Sequence, residues 1–245
     1  MKVLVTAGNT PVPIDKVRVL TNVFTGRTGA LIALEAHRRE HDVTLITSHP
    51  DVVDQLVSGD QDLSKRWNVI VHRTFDDFAA QLQQQIQGRT LDAVVHSAAV
   101  SDYRVKGIYA PAPETSFDPS TGEWKHPTSS PTLVDRQAGK VKSTSTELWL
   151  RLVQAPKLID RIRGDWGFAG QLVKFKLEVG VSDEELLEVA ERSRQHSQAD
   201  WMIANTREGA KEWAYLGPFP GGYERVSRAQ LPARLLDVLE STAHG

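Results

Sequence analysis

The chain has 245 residues, about 1.6 times a typical 150-residue domain, so one large α/β domain, or a domain with an appended subdomain, is expected. Hydrophobic residues make up 40% and charged residues 24%, with 17 glycines and 12 prolines, which excludes a wholly disordered or collagenous chain. Lys and Arg number 29 against 31 Asp and Glu, leaving no basic excess for unspecific nucleic-acid binding, so any anion site is local.

Lys2 to Thr6 is a short apolar, β-branched run stopped by Ala7-Gly8-Asn9-Thr10, and it reads as a buried parallel strand. A Pro-interrupted loop follows. Arg27 to Glu40 carries Ala30, Leu31, Ala33 and Leu34 at helical spacing, with Arg38 and Arg39 in the last turn. Asp42 to Thr47 and Trp67 to Val71 are predicted strands. Phe75, Phe78, Ala79, Leu82 and Ile86 form one helical stripe before a strand over Leu91 to Val95. Arg104 to Gly139 holds Pro111, Pro113, Pro119, Pro127 and Pro131, and it reads as a long loop serving as a lid, a binding loop or an inter-subunit arm.

Beyond it, Gln171 to Leu177 and Trp201 to Ala204 are predicted strands, separated by a helix opening at Ser182-Asp183-Glu184-Glu185 with capping-box spacing. Trp213 to Leu216 and Tyr223 to Val226, split by a Gly/Pro-rich turn, predict a hairpin followed by a helix from about Arg228 to Leu239. Regular strand–helix alternation implies a doubly wound, mainly parallel sheet of Rossmann-like, three-layer type.

Cysteine is absent, which removes disulfides, thiolate metal sites and enzyme-thiol nucleophiles. That suits a reducing cytosol, and a cytoplasmic protein is expected. No stretch reaches the roughly 18 apolar residues of a membrane span, and the N-terminal run is too short for a secretory signal. Met1 is therefore expected to begin the working protein, with neither membrane nor nucleic acid as partner. His37 and His41 stand four apart, but Arg38 replaces the Glu of H-E-x-x-H, so surface or loop roles are expected for His37, His41, His49 and His72 rather than metal ligation.

In open parallel sheets ligands bind beyond the carboxyl ends of the strands. Three segments fall there: Gly8-Asn9-Thr10, Asn22 to Gly29, and Ser97 to Asp102. Small residues let a ligand approach the backbone, and a helix N-terminus offers free N–H groups to a phosphate. Such a terminus contributes about 0.3 to 1 kcal/mol, too little for a multiply charged nucleotide. Lys140 and Lys142, alternating in Lys140-Val141-Lys142, are the candidate cations. No G-x-x-x-x-G-K-[ST] occurs, and the second strand ends in Thr47-Ser48-His49-Pro50 rather than in an acidic residue, which disfavours a P-loop and ordinary NAD binding. An NADP-dependent reductase and a non-catalytic nucleotide-binding module remain as alternatives on these grounds.

The motifs together say more. Val5-Thr6-Ala7-Gly8-Asn9-Thr10-Pro11-Val12-Pro13-Ile14-Asp15-Lys16-Val17-Arg18 resembles the V-T-x-G-G-T-x-x-P-I-D-x-V-R opening of phosphopantothenate-cysteine ligases. Thr21 to Gly29 is similar to the S-N-x-S-S-G-x-x-G of that family, and Ala98-Ala99-Val100-Ser101-Asp102-Tyr103 to its A-A-V-[AS]-D-[FY]. Lys140-Val141-Lys142 resembles its K-I-K, Ala155-Pro156-Lys157-Leu158 its proline turn, Phe175-Lys176-Leu177-Glu178 its F-K-L-E, and Ala204-Asn205 its late A-N. The resemblance runs from about Val3 to Asn205 without the long loop. Asn9 and Phe24 depart from the family pattern, where Gly and Ser stand.

The resemblance implies a single ligase domain over residues 1–245, with 104–139 as flap or dimerisation insertion, in a stand-alone form without a flavin decarboxylase or FMN. It implies joining of 4′-phosphopantothenate to L-cysteine in coenzyme A biosynthesis, with CTP or ATP and nucleotide-borne Mg²⁺, by a homodimer. In the same carry-over, Asn22, Lys140 and Lys142 are catalytic. Gly8, Thr10, Thr25, Gly26, Ala98, Asp102, Phe175 and Lys176 bind nucleotide, and Asn22, Arg18 and Asn205 bind substrate. No residue is expected to ligate a resident metal. Rival structural roles are a helix cap for Asn22, a turn for Asp102 and a core position for Phe175.

Overall fold

A computed structural model describes residues 1–57 and 62–243. From β1 (Lys2–Ala7) the chain passes through a hairpin of β2 (Val12–Pro13) and β3 (Val19–Leu20) to α1 (Arg27–Arg38), β4 (Asp42–Thr47), α2 (Asp51–Leu56) and β5 (Trp67–Val71). α3 (Phe75–Gly88) and β6 (Ala93–His96) lead into β7 (Tyr103–Pro111), β8 (Ser116–Asp118), β9 (Glu123–Lys125), β10 (Leu133–Asp135) and β11 (Trp149–Gln154). Then follow α4 (Leu158–Arg163), β12 (Gln171–Glu178), α5 (Asp183–His196), β13 (Trp201–Thr206), the hairpin β14 (Trp213–Phe219) and β15 (Gly222–Ser227), and α6 (Leu231–Ala243).

Residues 1–10, 22–100 and 157–245 form one compact unit, and residues 11–21 and 101–156 a second. The first unit is the doubly wound α/β fold. Its eight-stranded sheet runs β15-β14-β13-β12-β6-β1-β4-β5, with six parallel strands from β13 to β5 and an antiparallel hairpin at one edge. Both sheet faces are buried, so the strands read as nearly continuous apolar runs. On one face Val3, Val5, Ala7, Val43, Leu45 and Ile203 join Ala30, Ala33, Leu235 and Leu239 from α1 and α6. On the other, Met202 and Ala204 pack on Leu186 and Ala190 of α5. Each fully buried Leu or Val contributes about 1.5–3 kcal/mol, so this core dominates the unit's stability. Ser182 closes the expected capping box with Glu185. The late strands and helix appear as predicted, with α6 starting three residues later.

The chain order along the parallel strands reverses at β1: β4 and β5 lie to one side of it, β6, β12 and β13 to the other. In open α/β sheets ligands bind beyond the carboxyl ends of the strands at such a point, here those of β1 and β6.

The second unit corrects the long-loop reading. Arg104 to Gly139 contains most of β7 and all of β8, β9 and β10. β10, β7 and β11 form an antiparallel sheet, and β8 pairs with β9. The prolines punctuate the strands rather than dissolve them: Pro111 is the last residue of β7, Pro119 follows β8, Pro127 lies two residues past β9 and Pro131 precedes β10. Phe117, Trp124 and Trp149 form a nucleus with ring centroids 4.6 to 5.2 Å apart, and Ile108, Ala110 and Val141 are buried. His72 lies in the connection after β5, the loop position expected of it, but is buried rather than on the surface, its ring 4.7 Å from that of Phe78.

Candidate functional site

In the first unit, the carboxyl ends of β1, β4 and β6 and the start of α1 are tied into one small cluster. Gly26 is the N-cap of α1 in the left-handed conformation, at φ 81°, with no side-chain cap. A Cβ there would overlap the backbone nitrogen of Gly8, itself at φ 83°. Glycine at both positions thus lets α1's open N–H groups lie against the end of β1. Gly29 serves the same approach one turn on, since its Cβ would press on Ala7 Cβ at 2.8 Å.

Asn22 does not cap α1. Its Nδ2 donates to the Ala99 carbonyl at 3.0 Å, and its own carbonyl accepts from Asn9 Nδ2 at 2.8 Å. Asn9, the first departure from the family pattern, explains itself here. Its backbone N–H donates to Ser48 Oγ at 3.0 Å, and its Oδ1 accepts from that hydroxyl at 3.1 Å. One buried amide therefore joins the ends of β1 and β4 to Asn22, and its bridge to Ala99 reaches β6. At the second departure, Arg207 lies over the Phe24 ring, 5.7 Å from its centroid.

The remaining first-unit candidates divide. Ala98 N–H donates to Thr6 Oγ1 at 3.2 Å and Ala99 N–H to the Gly8 carbonyl at 2.8 Å, which fixes the Ser97–Val100 turn. Thr10 is buried and Thr25 exposed. Phe175 is half-buried against the core. Lys176 pairs with Glu178 at 2.9 Å, and the buried Asn205 donates to the Thr206 carbonyl at 3.2 Å.

Arg228, at the carboxyl end of β15, escaped the sequence reading. Its Nη2 donates to Thr28 Oγ1 in the first turn of α1. Its guanidinium is held below the usual arginine range by burial. A half-buried cation near a helix N-terminus has no signature in sequence, because β15 is remote from α1 along the chain.

A polar row runs across three strands, buried Thr6 and His96 and half-buried Lys174 in register. Thr6 Oγ1 and His96 Nδ1 are 3.2 Å apart. Lys174 Nζ donates to the Ser193 carbonyl at 2.8 Å and Ser197 Oγ at 3.0 Å. Burial pushes His96 down to about 4, helped by the Lys174 charge, and Lys174 to about 8. His72 is likewise driven by burial to about 4.

The other four candidates, Arg18, Asp102, Lys140 and Lys142, belong to the second unit. Asp102 accepts the Ala155 N–H at its carbonyl, 2.8 Å, and its side chain is exposed. Lys140 and Lys142 are exposed on either side of buried Val141, the alternation expected of Lys-x-Lys. Arg18 is committed within the unit, to Asp15 at 2.5 Å and to the Val141 carbonyl at 2.9 Å. Among the described residues no group of three His, Cys, Asp or Glu side chains converges on a metal position.

Comparisons with known proteins bear on this arrangement. Residues 1–111 match the family described as the DNA/pantothenate metabolism flavoprotein C-terminal domain. Over 98% of its length the chain is 31% identical to the coenzyme A biosynthesis bifunctional protein CoaBC of Thermococcus kodakarensis. The N-terminal 111 residues thus resemble this flavoprotein C-terminal domain family. It spans about half, 51%, of the Thermococcus relative. A family structure, the DNA/pantothenate metabolism flavoprotein from Streptococcus pneumoniae, superposes with a TM-score of 0.76 at 25% identity, covering 99% of each chain. A Cab2 variant in complex with phosphopantothenate-cysteine shares the fold, with a TM-score of 0.67 at 16% identity over 100% of this chain and 89% of that one. These similarities agree with the motif resemblance drawn from the sequence. Among the described residues no helix is long and apolar enough to cross a membrane.

Proposed function

We propose that the protein is a ligase of coenzyme A biosynthesis that joins 4′-phosphopantothenate to L-cysteine through an acyl-nucleotidate, using CTP or ATP. The observation that carries this reading is the β1/β6 switch point, where Gly8 and Gly26 bring the N-terminus of α1 against the end of β1 and Asn22 is fixed between Ala99 and Asn9. The family match over residues 1–111 and the ligand named for the Cab2 complex support it.

A carboxylate is a poor electrophile, so in this reaction its oxygen attacks the α-phosphorus and pyrophosphate leaves. The cysteine amine then attacks the acyl carbon and the nucleoside monophosphate departs. No enzyme nucleophile is required, which suits a chain without cysteine; catalysis is positioning and stabilisation of negative charge. In this proposal Gly8, Thr10, Thr25, Gly26 and Ala98 line the nucleotide phosphates, with Phe175 and Lys176 beside them and Asp102 toward the ribose. Asn22 holds the acyl-nucleotidate, Arg18 and Asn205 contact substrate, and Lys140 with Lys142 neutralises charge on the phosphoryl group. Mg²⁺ enters on the triphosphate, in keeping with its preference for phosphate oxygens and retained water. No FMN is required, the assembly is a homodimer and the setting cytoplasmic.

The intermediate supplies the test. With phosphopantothenate and nucleotide but no cysteine, mass spectrometry should detect the acyl-nucleotidate on the protein, and later addition of cysteine should discharge it as nucleoside monophosphate. Discharge without any preceding mixed anhydride would overturn the two-step reading. Sedimentation velocity checks the dimer.

A further inference from the structure

Asp15 lies in the turn between β2 and β3, and its side chain is fully buried. Every lone-pair direction of its carboxylate is used. Oδ1 accepts the N–H groups of Val17 at 2.9 Å and Arg18 at 2.8 Å. Oδ2 accepts Arg18 Nε at 3.1 Å and Nη2 at 2.5 Å, and also the N–H of Val141 at 3.0 Å, 126 residues away. Arg18 Nη2 returns to the Val141 carbonyl at 2.9 Å. A third link joins Lys16 N–H to the Gly139 carbonyl at 3.0 Å.

Both backbone polar groups of Val141 are thus satisfied by one ion pair. The segment around it, residues 136–148, contains no strand or helix, so this pair stands where a sheet ladder would otherwise hold the chain. Val141 is buried while Lys140 and Lys142, its neighbours on either side, are exposed. The Arg18 guanidinium, and after it the Val141 N–H, hold the Asp15 carboxyl far below the usual range, so the bridge stays charged at any working pH.

We propose that Asp15 is a positioning residue that, through its bridge to Val141, sets where Lys140 and Lys142 stand for the nucleotide step; this rests on the ligase reading above. A long lysine on an untethered loop explores many positions, and misplacement by about 1 Å costs on the order of a hundredfold in rate. The bridge removes backbone freedom from the residue between the two lysines and leaves their side chains free to follow the ligand. The Asp15 charge is spent on Arg18, so it does not compete with phosphate for the lysines.

Two measurements on the full chain test this with Asp15→Asn and Asp15→Ala. The first is limited trypsin digestion, read by mass spectrometry at the bonds after Lys140 and Lys142, with the melting temperature followed in parallel. Cleavage there should rise at least about tenfold in both variants while cleavage in the parallel-sheet unit stays unchanged. Equal cleavage in variants and unsubstituted protein would overturn the bridge. The second is a double-mutant cycle with Lys140→Ala. Asp15→Asn should lower kcat about tenfold with nucleotide KM within twofold, and should cost nothing further on the Lys140→Ala background. Full additivity would show a structural role only and overturn the positioning claim. If Asp15→Ala does not fold, the isosteric Asn variant decides both arms. An unsubstituted protein that never releases pyrophosphate would overturn the ligase reading and the kinetic claim together, while the trypsin arm still judges the bridge by itself.

Discussion

In the parallel-sheet unit, order comes from burial: Val3, Leu4, Val5, Leu45, Val94, Val95 and Leu172 are all at most 1% exposed, and helices cover both faces. In the second unit, short strands surround three aromatic rings, and several connections are held by carboxylates, Asp15 on Arg18 and Val141, Asp118 on Lys125 and Ser120. The first arrangement gives a densely buried sheet with few charges in its core. The second presents charged side chains from irregular backbone whose position depends on individual polar bridges. The two kinds of support should fail under different stresses.

The largest expected effect tests whether each unit supplies part of one reaction. Asn22→Ala, in the sheet unit, and Lys140→Ala, in the second, should each lower turnover at least about a hundredfold, roughly 2.7 kcal/mol of barrier, with the circular dichroism spectrum retained. Unchanged turnover in either would remove that unit from the chemistry.

Next in size, Gly26→Ala should damage the sheet unit alone. The new Cβ meets the Gly8 backbone in a left-handed conformation, a strain of about 1–3 kcal/mol that should lower the melting temperature and abolish stabilisation by added nucleotide. Full nucleotide stabilisation in this variant would contradict the assigned contact.

Acid should also separate the units. His72 and His96 are held neutral in the fold, at about 4 against 6.5 for a free histidine. The unfolded chain takes up their protons first, so the stability they represent is complete above pH 6.5 and is lost as pH falls toward 4, up to about 3 kcal/mol each. In the second unit, Lys125 and then Ser120 hold Asp118 at about 2; its depressed carboxylate stabilises above pH 3.8 and weakens only as pH falls through 2. Hydrogen exchange at pH 4.5 should therefore accelerate in β1, β6 and α3 before β7 and β11. Equal acceleration would contradict the distinction.

These contrasts also explain what the sequence made legible. The runs Lys2–Thr6, Asp42–Thr47 and Trp67–Val71 are strands because a doubly buried parallel sheet demands apolar continuity, and that demand is written in each segment locally. Arg104 to Gly139 carries no such signal, since its strands are short, its nucleus draws Phe117, Trp124 and Trp149 from separated segments, and its prolines stand at strand ends. Within the site, the need for glycine at Gly8 and Gly26 was readable because it arises from backbone geometry. The roles of Asn9, Asp15, Arg18 and Arg228 were not, because each is fixed by a partner distant in the chain. The smallest test returns to a local signal: Ser182→Ala, which removes one half of the capping box, should cost about 1 kcal/mol in thermal stability and leave turnover unchanged.

In the proposed reaction, an acid is activated by a nucleotide at the glycine-lined end of β1. The most direct measurement is pyrophosphate release by the unsubstituted protein with 4′-phosphopantothenate, L-cysteine, Mg²⁺ and either CTP or ATP, run beside a reaction lacking phosphopantothenate. Release equal in amount to the nucleoside monophosphate formed, and stopped by that omission, is the expected result. Release that continues without the acid, or none with either nucleotide, would contradict it.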